Sequence, residues 1–345
     1  MENVAIDVGF GTTAVASNIN HSTAKLDVFD SRAVVVDPEE IAKFNSVGMT
    51  KRESLLVEVD GTYYEVGPDV SAVVSDSTER KLTGDYLSSP EYKSLFKGAL
   101  GQIRHTNTID LLVGGLPINH LNRKEEMQQF IEGEHRVGSR VITVKKAILV
   151  PQPFGALTHY AKIKSMELNC DIAAVLAGKR FVTIDPGYGT FDFLTTTGLT
   201  PDEKCSDAKP LGQGVILNRL SKYLTSVFGY YIHPEIIDKA FRTKVLRLKG
   251  TEYSFPDGGE YFNCLPHIDR VCREACDIVK NKLDAAIDID GFLIAGGPAL
   301  DYARAVKAAY PNHNVEIVPD HGTAVCRGLA ELARQLGGNQ TRKVA

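Results

Sequence analysis

Residues 4–13 read VAIDVGFGTT, and residues 182–191 read VTIDPGYGTF. Offset by 178 positions, the two stretches share Val, Ile, Asp, Gly, Gly and Thr in register, with Phe10 answered by Tyr188. Each continues into alternating, β-like sequence, Ala14-Val15-Ala16-Ser17 in the first and Asp192-Phe193-Leu194-Thr195 in the second. Alternation on both sides of a glycine-bearing turn predicts strand, tight turn, strand, the glycines supplying backbone angles that a Cβ would obstruct. Two homologous halves, each opening on this hairpin, follow from the repeat.

The first copy also fits the dinucleotide pattern G-x-G-x-x-A through Gly9, Gly11 and Ala14. That fingerprint must open a helix, whereas 12–17 alternates like a strand. An aspartate two residues before the first glycine would repel a bare pyrophosphate, but suits one with a divalent cation between them. Gly9, Phe10, Gly11, Thr12 and Thr13, and Gly187, Tyr188, Gly189 and Thr190, are therefore expected around phosphate oxygens, with the glycine-rich backbone amides as donors and the Thr12 or Thr190 hydroxyl as a further one. Asp7 and Asp185 are expected to face each other across a cleft and hold Mg2+ through its waters, since that ion dehydrates reluctantly. Gly296-Gly297-Pro298, after the apolar run Phe292-Leu293-Ile294-Ala295, admits a flat group to the backbone at a helix start and is a candidate adenosine site. Gly212 and Gly214, just before another helix, are further nucleotide-contact candidates.

Bulk properties leave that reading open and exclude others. The 345 residues favour two domains, and 43% apolar with 24% charged residues is ordinary globular composition. A net charge of −4 argues against bulk attraction to nucleic acid or anionic lipid. No apolar run reaches the roughly 18 residues that span a bilayer, and no secretory n-region is read before the first strand. Six scattered cysteines without a CxxC suit a reducing cytosol. Cys272 and Cys276, four apart on a helix, read as core thiols rather than metal ligands.

Working outward, residues 25–87 mix short strands (55–59 and 63–66, with a turn at Asp60-Gly61) and loops, as an insertion on the first domain would. Ser89-Pro90 starts a helix to about 100, with Ser as N-cap. A strand at 110–113 ends at Gly114-Gly115, Asn122 caps a polar helix, 141–150 is one strand, and a helix follows from about 154. The second half has strands near 181–185 and 191–196, helices at 215–225, 234–248 and 268–286, strands at 291–295 and 315–318, and a last helix at 322–336. Domain I is expected over 1–165 with helix 322–336 packed back on it. Domain II is expected over 166–321 with a helical insertion at about 226–286, and 337–345 as a disordered tail. The alternation gives an α/β fold.

Together these motifs resemble the actin/Hsp70/sugar-kinase ATPase superfamily. Its five-part order is matched across nearly the whole chain. Phosphate 1 is at 7–13, connect 1 at 152–157 (QPFGAL), phosphate 2 at 185–192, adenosine at 294–299 and connect 2 at 323–329. Pro186 departs from the phosphate 2 pattern and removes one N–H. Within the superfamily the chain is similar to the ParM/StbA plasmid-segregation actins, and to the D protein of PRTRC-type plasmid systems. The stretches that carry this are Arg80-Lys81-Leu82, Tyr86-Leu87-Ser88-Ser89-Pro90-Glu91-Tyr92, Gly115-Leu116-Pro117-Ile118-Asn119 and Val150-Pro151-Gln152-Pro153-Phe154-Gly155-Ala156.

The resemblance implies an actin-like (ribonuclease H-like) duplicated α/β fold, two domains around a nucleotide cleft. It implies slow ATP hydrolysis with ATP/ADP and Mg2+ as ligands. Asp7, Asp185 and Gln152 would be the catalytic residues, with Gln152 or Asp185 orienting the attacking water. A helix-capping role for Gln152 stays open, as does the choice for Asp192 between supporting the site and packing. The function implied is a cytoplasmic, self-assembling filament for DNA segregation, joined to plasmid DNA by a centromere-binding adaptor rather than by direct contact with nucleic acid or membrane. A small-molecule kinase of the same superfamily and an Hsp70-like nucleotide switch are the alternatives, although neither a substrate base nor a peptide-binding domain is legible. Lys145-Lys146 and Lys244, Arg247 and Lys249 read as solvated faces rather than DNA contacts. Tyr223, Tyr230 and Tyr231 are open between cleft and core, and no histidine spacing or G-x-S-x-G elbow suggests other chemistry.

Overall fold

The computed structural model describes residues 2–19, 24–39, 53–70, 85–283 and 285–344, with side chains to residue 338. Much of the stretch expected as an insertion, including Arg80-Lys81-Leu82, lies outside them. The chain divides into two compact units, one of Met1–Val74, Arg80–Val175 and Val318–Ala345, the other built on Leu176–Ile317.

The first unit holds β1 (Asn3–Val8), β2 (Thr12–Ser17), β3 (Lys25–Asp30), β4 (Val34–Val35), β5 (Leu55–Val59), β6 (Thr62–Val66), β7 (Thr108–Ile109), β8 (Leu111–Leu116), β9 (Gly133–Val137), β10 (Arg140–Val144) and β11 (Ala147–Pro151). Its main sheet has the order β11-β8-β1-β2-β3, with β1 parallel to β8, β8 parallel to β11, and β1-β2-β3 antiparallel. Because β3 belongs to this sheet, added structure begins after Asp30 rather than at residue 25. Two small sheets, β7-β10-β9 and β4-β6-β5, complete the unit. The β5-β6 hairpin turns at Asp60 and Gly61, both at positive φ as tight hairpin turns require.

Helix α1 (Pro90–Gln102) starts as expected, the Ser89 Oγ accepting from the Tyr92 N–H at 3.1 Å with Pro90 in the first turn. It buries Tyr92, Leu95, Phe96 and Leu100 in a core shared with Val4, Ile6 and Leu112. Helix α2 (Lys124–Ile131) is not capped by Asn122, because Ile118–Arg123 is already a 3-10 helix. The strand expected over 141–150 is two, β10 and β11, which part at Lys145-Lys146 and join different sheets. Helix α3 (Gln152–Leu168) follows β11 without a loop. The C-terminal helix spans Ala324–Val344, so residues 337–344, expected as a loose tail, continue it.

The second unit has β12 (Arg180–Pro186), β13 (Phe191–Thr197), β14 (Thr200–Lys209), β15 (Val245–Leu248), β16 (Thr251–Ser254), β17 (Gly291–Ile294) and β18 (Val315–Ile317), with α4 (Gln213–Phe228), α5 (Pro234–Thr243), α6 (Leu265–Leu283) and α7 (Ala299–Ala309). Its sheet order is β14-β13-β12-β17-β18, with β12 parallel to β17, β17 parallel to β18, and β12-β13-β14 antiparallel. Read from β3 to β11 and from β14 to β18, the two sheets match strand for strand and direction for direction. This is a duplicated α/β fold.

The helix expected over 234–248 stops at Thr243. Lys244 takes the left-handed conformation (φ 60°), and Val245–Leu248 pairs with Thr251–Ser254 through a turn at Lys249 and Gly250, both at positive φ. Cys272 and Cys276 lie in the core against Tyr302, as their spacing suggested.

The cap on α1 generates the first test. Ser89→Ala should lower stability by about 1 kcal/mol, read as a drop of a few degrees in Tm of the unliganded protein. An unchanged Tm would show that the hydroxyl does not hold the helix start.

Candidate functional site

In the first unit, the turn between β1 and β2 is closed by the Gly9 N–H donating to the Thr12 carbonyl at 3.0 Å. In the second, the Gly187 N–H donates to the Thr190 carbonyl at 2.8 Å. The strand pairs flanking them, Val8 with Thr13 and Pro186 with Phe191, correspond residue for residue. The repeated sequence thus forms the same turn twice, with Asp7 and Asp185 each one residue inside the strand end.

Around the first turn, Tyr86 acts as a clamp. Its ring stacks on Phe10 at 4.0 Å between centroids, and its Oη donates to the Gly9 carbonyl at 3.2 Å. The Ser31 N–H donates to the Gly11 carbonyl at 2.9 Å. Thr12 is exposed, but Thr13 is fully buried with its Oγ1 2.9 Å from the Ser31 Oγ. The Thr13 hydroxyl therefore braces the turn instead of facing a ligand.

Since β1, β8 and β11 are parallel, their C-terminal ends lie along one edge of the sheet, which brings Asp7 to the first residue of α3. The Gln152 Nε2 donates to the Asp7 Oδ1 at 2.8 Å. No side chain caps α3, whose N-cap position is Pro151; the Gln152 amide is committed to Asp7. Burial lifts the Asp7 carboxyl to about 6, and the Gln152 hydrogen bond opposes part of that rise. Gly115, between them on β8, leaves the needed space: a Cβ there would stand 2.8 Å from the Gln152 Cγ and 3.2 Å from the Asp7 Oδ1.

Helix α3 is in turn fixed by the C-terminal helix. A Cβ on Gly328 would fall 1.7 Å from the Gly155 carbonyl, and one on Gly155 would fall 2.6 Å from the Val325 carbonyl. The helices cross backbone to backbone, one turn from Gln152.

In the second unit the N-terminus of α4 holds the turn from behind. The Gln213 and Gly214 N–H groups donate to the Gly187 and Tyr188 carbonyls at 2.9 and 2.8 Å, and a Cβ on Gly212 would stand 2.5 Å from the Tyr188 carbonyl. Gly212 and Gly214, expected as nucleotide contacts, are buried buttresses of the turn. Gly296, at φ 79°, lies so close to β12 that a Cβ would be 2.2 Å from the Pro186 carbonyl and 2.8 Å from the Asp185 Oδ1. Gly297 is exposed, while Pro298 is buried at the N-cap position of α7. Asp192, opposite Asp185 in the ladder, is 1% exposed.

The structure thus gathers Asp7, Gly9–Thr12 and Gln152 at one sheet edge of the first unit. It gathers Asp185, Gly187–Thr190 and Gly296-Gly297 at the equivalent edge of the second. Sequence reading missed Tyr86, Gly115 and the Gly155–Gly328 crossing, although the last pair falls inside the connect 1 and connect 2 stretches. Among the described residues, no cluster of three or more His, Cys, Asp or Glu forms a ready-made metal cage.

Residues 5–155, from β1 to the Gly155 crossing, match the family described as actin like proteins N terminal domain. The archaeal actin homolog Ta0583 superposes with a TM-score of 0.75 at 18% identity, over 97% of this chain and 100% of its own. The chain has the actin fold. Ta0583 is also solved in complex with ADP, with a TM-score of 0.73 at 18% identity and coverage of 97% and 100%. A 15-stranded ParM filament from Clostridium botulinum matches this actin-fold chain with a TM-score of 0.74 at 18% identity, over 97% of this chain and 99% of that one. No curated protein sequence matches it.

Asp7 supplies a pH test. Its folded value lies above that of an unfolded aspartate, so its stabilising contribution is complete below about pH 4 and lost as pH rises through about 6. In the absence of ligand, Asp7→Asn should be more stable than the parent at pH 7, by on the order of 2 kcal/mol, with the difference vanishing near pH 4. Parallel Tm–pH curves for the two proteins would refute this.

Proposed function

We propose that the chain is a magnesium-dependent ATPase whose nucleotide state governs its assembly into filaments, serving the segregation of plasmid or other DNA in the cytoplasm. The observation that carries this reading is the Gly-x-x-Thr turn, closed by the same backbone hydrogen bond in both units, with an aspartate at the same place beside it. The ADP complex of the archaeal homolog and the filament of the clostridial ParM lend it support.

The N–H of Gly9 and of Gly187 is spent on closing its own turn. The phosphate donors are then the amides beyond, in Phe10–Thr12 and in Tyr188–Thr190, with the Thr12 and Thr190 hydroxyls. Asp7 and Asp185 hold Mg2+ through water, in keeping with an ion that is bound by one or two carboxylates plus substrate phosphates rather than by a protein cage. When bound, the ion neutralises charge on the transferring phosphate.

Gln152, anchored to Asp7 by its Nε2, keeps an amide oxygen to accept from the attacking water, which needs no perturbed pKa. With no arginine finger assigned, hydrolysis is slow and acts as a timer: the ATP form favours polymer and the ADP form releases it. The Gly296-Gly297 turn receives the adenosine. Self-assembly and a centromere-binding adaptor, rather than direct contact with DNA, complete the proposed system.

Pelleting and light scattering with Mg2+ and ATP, ADP or no nucleotide test the reading. Sedimentation that depends on ATP is the expected result, and a phosphorylated small acceptor without polymer would replace the filament by a kinase. Asp7→Ala and Asp185→Ala should each reduce ATP turnover by about a hundredfold or more, and Gln152→Ala should lower kcat by a similar factor while leaving ADP affinity within about twofold. Full turnover in either aspartate variant would remove the metal assignment.

A further inference from the structure

On the second unit, α4 and the start of α6 border a groove of about 680 Å3, lined by Val215, Asn218, Arg219, Lys222, Tyr223, Ser226 and His267. It shares no residue with either glycine turn. Its floor is preorganised: Tyr223 and His267 stack at 4.1 Å, the Tyr223 Oη accepts from the Asn263 N–H at 3.1 Å, and the Ser226 Oγ donates to the Tyr223 carbonyl at 2.6 Å.

The electrostatics are one-sided in a chain whose net charge is −4. Among the described residues Arg219 pairs only with the carboxylate of Glu274, at 3.5 Å, and that carboxylate sits closer to Arg270, at 3.1 Å. Lys222 is exposed and makes no ion pair among the described residues. The lining holds a guanidinium and an ammonium and no carboxylate, which leaves the groove positive.

We propose that this groove docks an acidic peptide segment of a partner protein, one with carboxylates on two alternate residues and an aliphatic residue two positions further on. Arg219 and Lys222 are helical i,i+3 neighbours, with Cβ atoms about 5–6 Å apart. Alternate residues of an extended segment are about 6.5–7 Å apart. An Asp/Glu-x-Asp/Glu segment therefore sets one carboxylate on each cation and turns its intervening side chain elsewhere. An aliphatic side chain two residues beyond the second carboxylate faces the same way and packs on the Tyr223–His267 stack, while Asn218 and Ser226 meet the backbone. A nucleic-acid strand would need a longer run of cations along its phosphates, and the lining offers Arg219 and Lys222.

The probe is a fluorescein-labelled hexapeptide, Glu-Leu-Glu-Gly-Leu-Gly, titrated with the full chain and read by polarisation. Saturable binding is expected, weakened as salt rises from about 0.05 M to about 0.5 M. Arg219→Glu and Lys222→Glu should each lower affinity about tenfold or more, while Lys222→Arg retains it, the Gln-Leu-Gln peptide fails to bind, and Lys307→Glu on α7 changes nothing. Unchanged Tm in the reversal variants shows that the fold is intact. Three outcomes overturn the proposal: no saturable binding, affinity indifferent to both reversals, or equal displacement by a short oligodeoxynucleotide. The readout needs no nucleotide, so it succeeds or fails independently of ATP turnover.

Discussion

A single backbone hydrogen bond, from the first glycine N–H to the threonine carbonyl of each hairpin, fixes where the rest of the site can stand. It is made at Gly9–Thr12 and again at Gly187–Thr190. Closing the chain in four residues ends the antiparallel pair abruptly, so the aspartate two residues earlier remains at the sheet edge. The parallel strands beside it, β8 and β11 in one unit and β17 and β18 in the other, end along that same edge. Gln152 and Gly296-Gly297 come from such a strand end or from the helix that follows it. Parallel strands need crossovers, and crossovers place helix starts above the carboxyl ends of the sheet.

Close approach of backbones is the second constraint, and glycine is where it is met. Gly115 makes room for the Gln152–Asp7 contact, Gly296 lets the β17 connection pass over the Pro186 carbonyl, and Gly212 seats α4 against the second turn. The crossing of Gly155 and Gly328 ties α3 to the C-terminal helix, so the position of Gln152 depends on residues from the far end of the chain. A methyl group at Gly328 would collide with backbone rather than with a movable side chain, and would have to push the helices apart.

How legible this was depended on whether a feature was local. The hairpin, its aspartate and the duplication were legible because the pattern is short and occurs twice. The Ser89 cap was legible because capping is a matter of adjacent residues. Thr13 was read as a nucleotide contact because it continues the glycine turn; its hydroxyl's partner Ser31 comes from beyond β3, and one sequence does not show that register. Helix α5 was read five residues too long because Val245-Leu246-Arg247-Leu248 carries apolar residues compatible with either period. What ends the helix is the left-handed Lys244 together with the Lys249-Gly250 turn. The buttressing of the second turn by α4 was missed because a glycine at a helix start serves a ligand or a neighbouring carbonyl equally well.

The energetics of Asp7 add a last argument. A carboxyl lifted to about 6 carries, at neutral pH, a burial penalty on the order of 2–3 kcal/mol that the chain has not offset. One hydrogen bond from Gln152 reduces it, and Gly115 keeps the space open where a larger residue could have added a partner. An asparagine would keep a hydrogen bond to Gln152 without that penalty, so packing alone gives no reason for the charge. The proposed magnesium ion would give one, because its charge would stabilise the ionised form at the sheet edge where the turn amides also gather. The same reasoning separates Asp7 from the buried thiols of Cys272 and Cys276, which burial keeps neutral and which need no counter-charge.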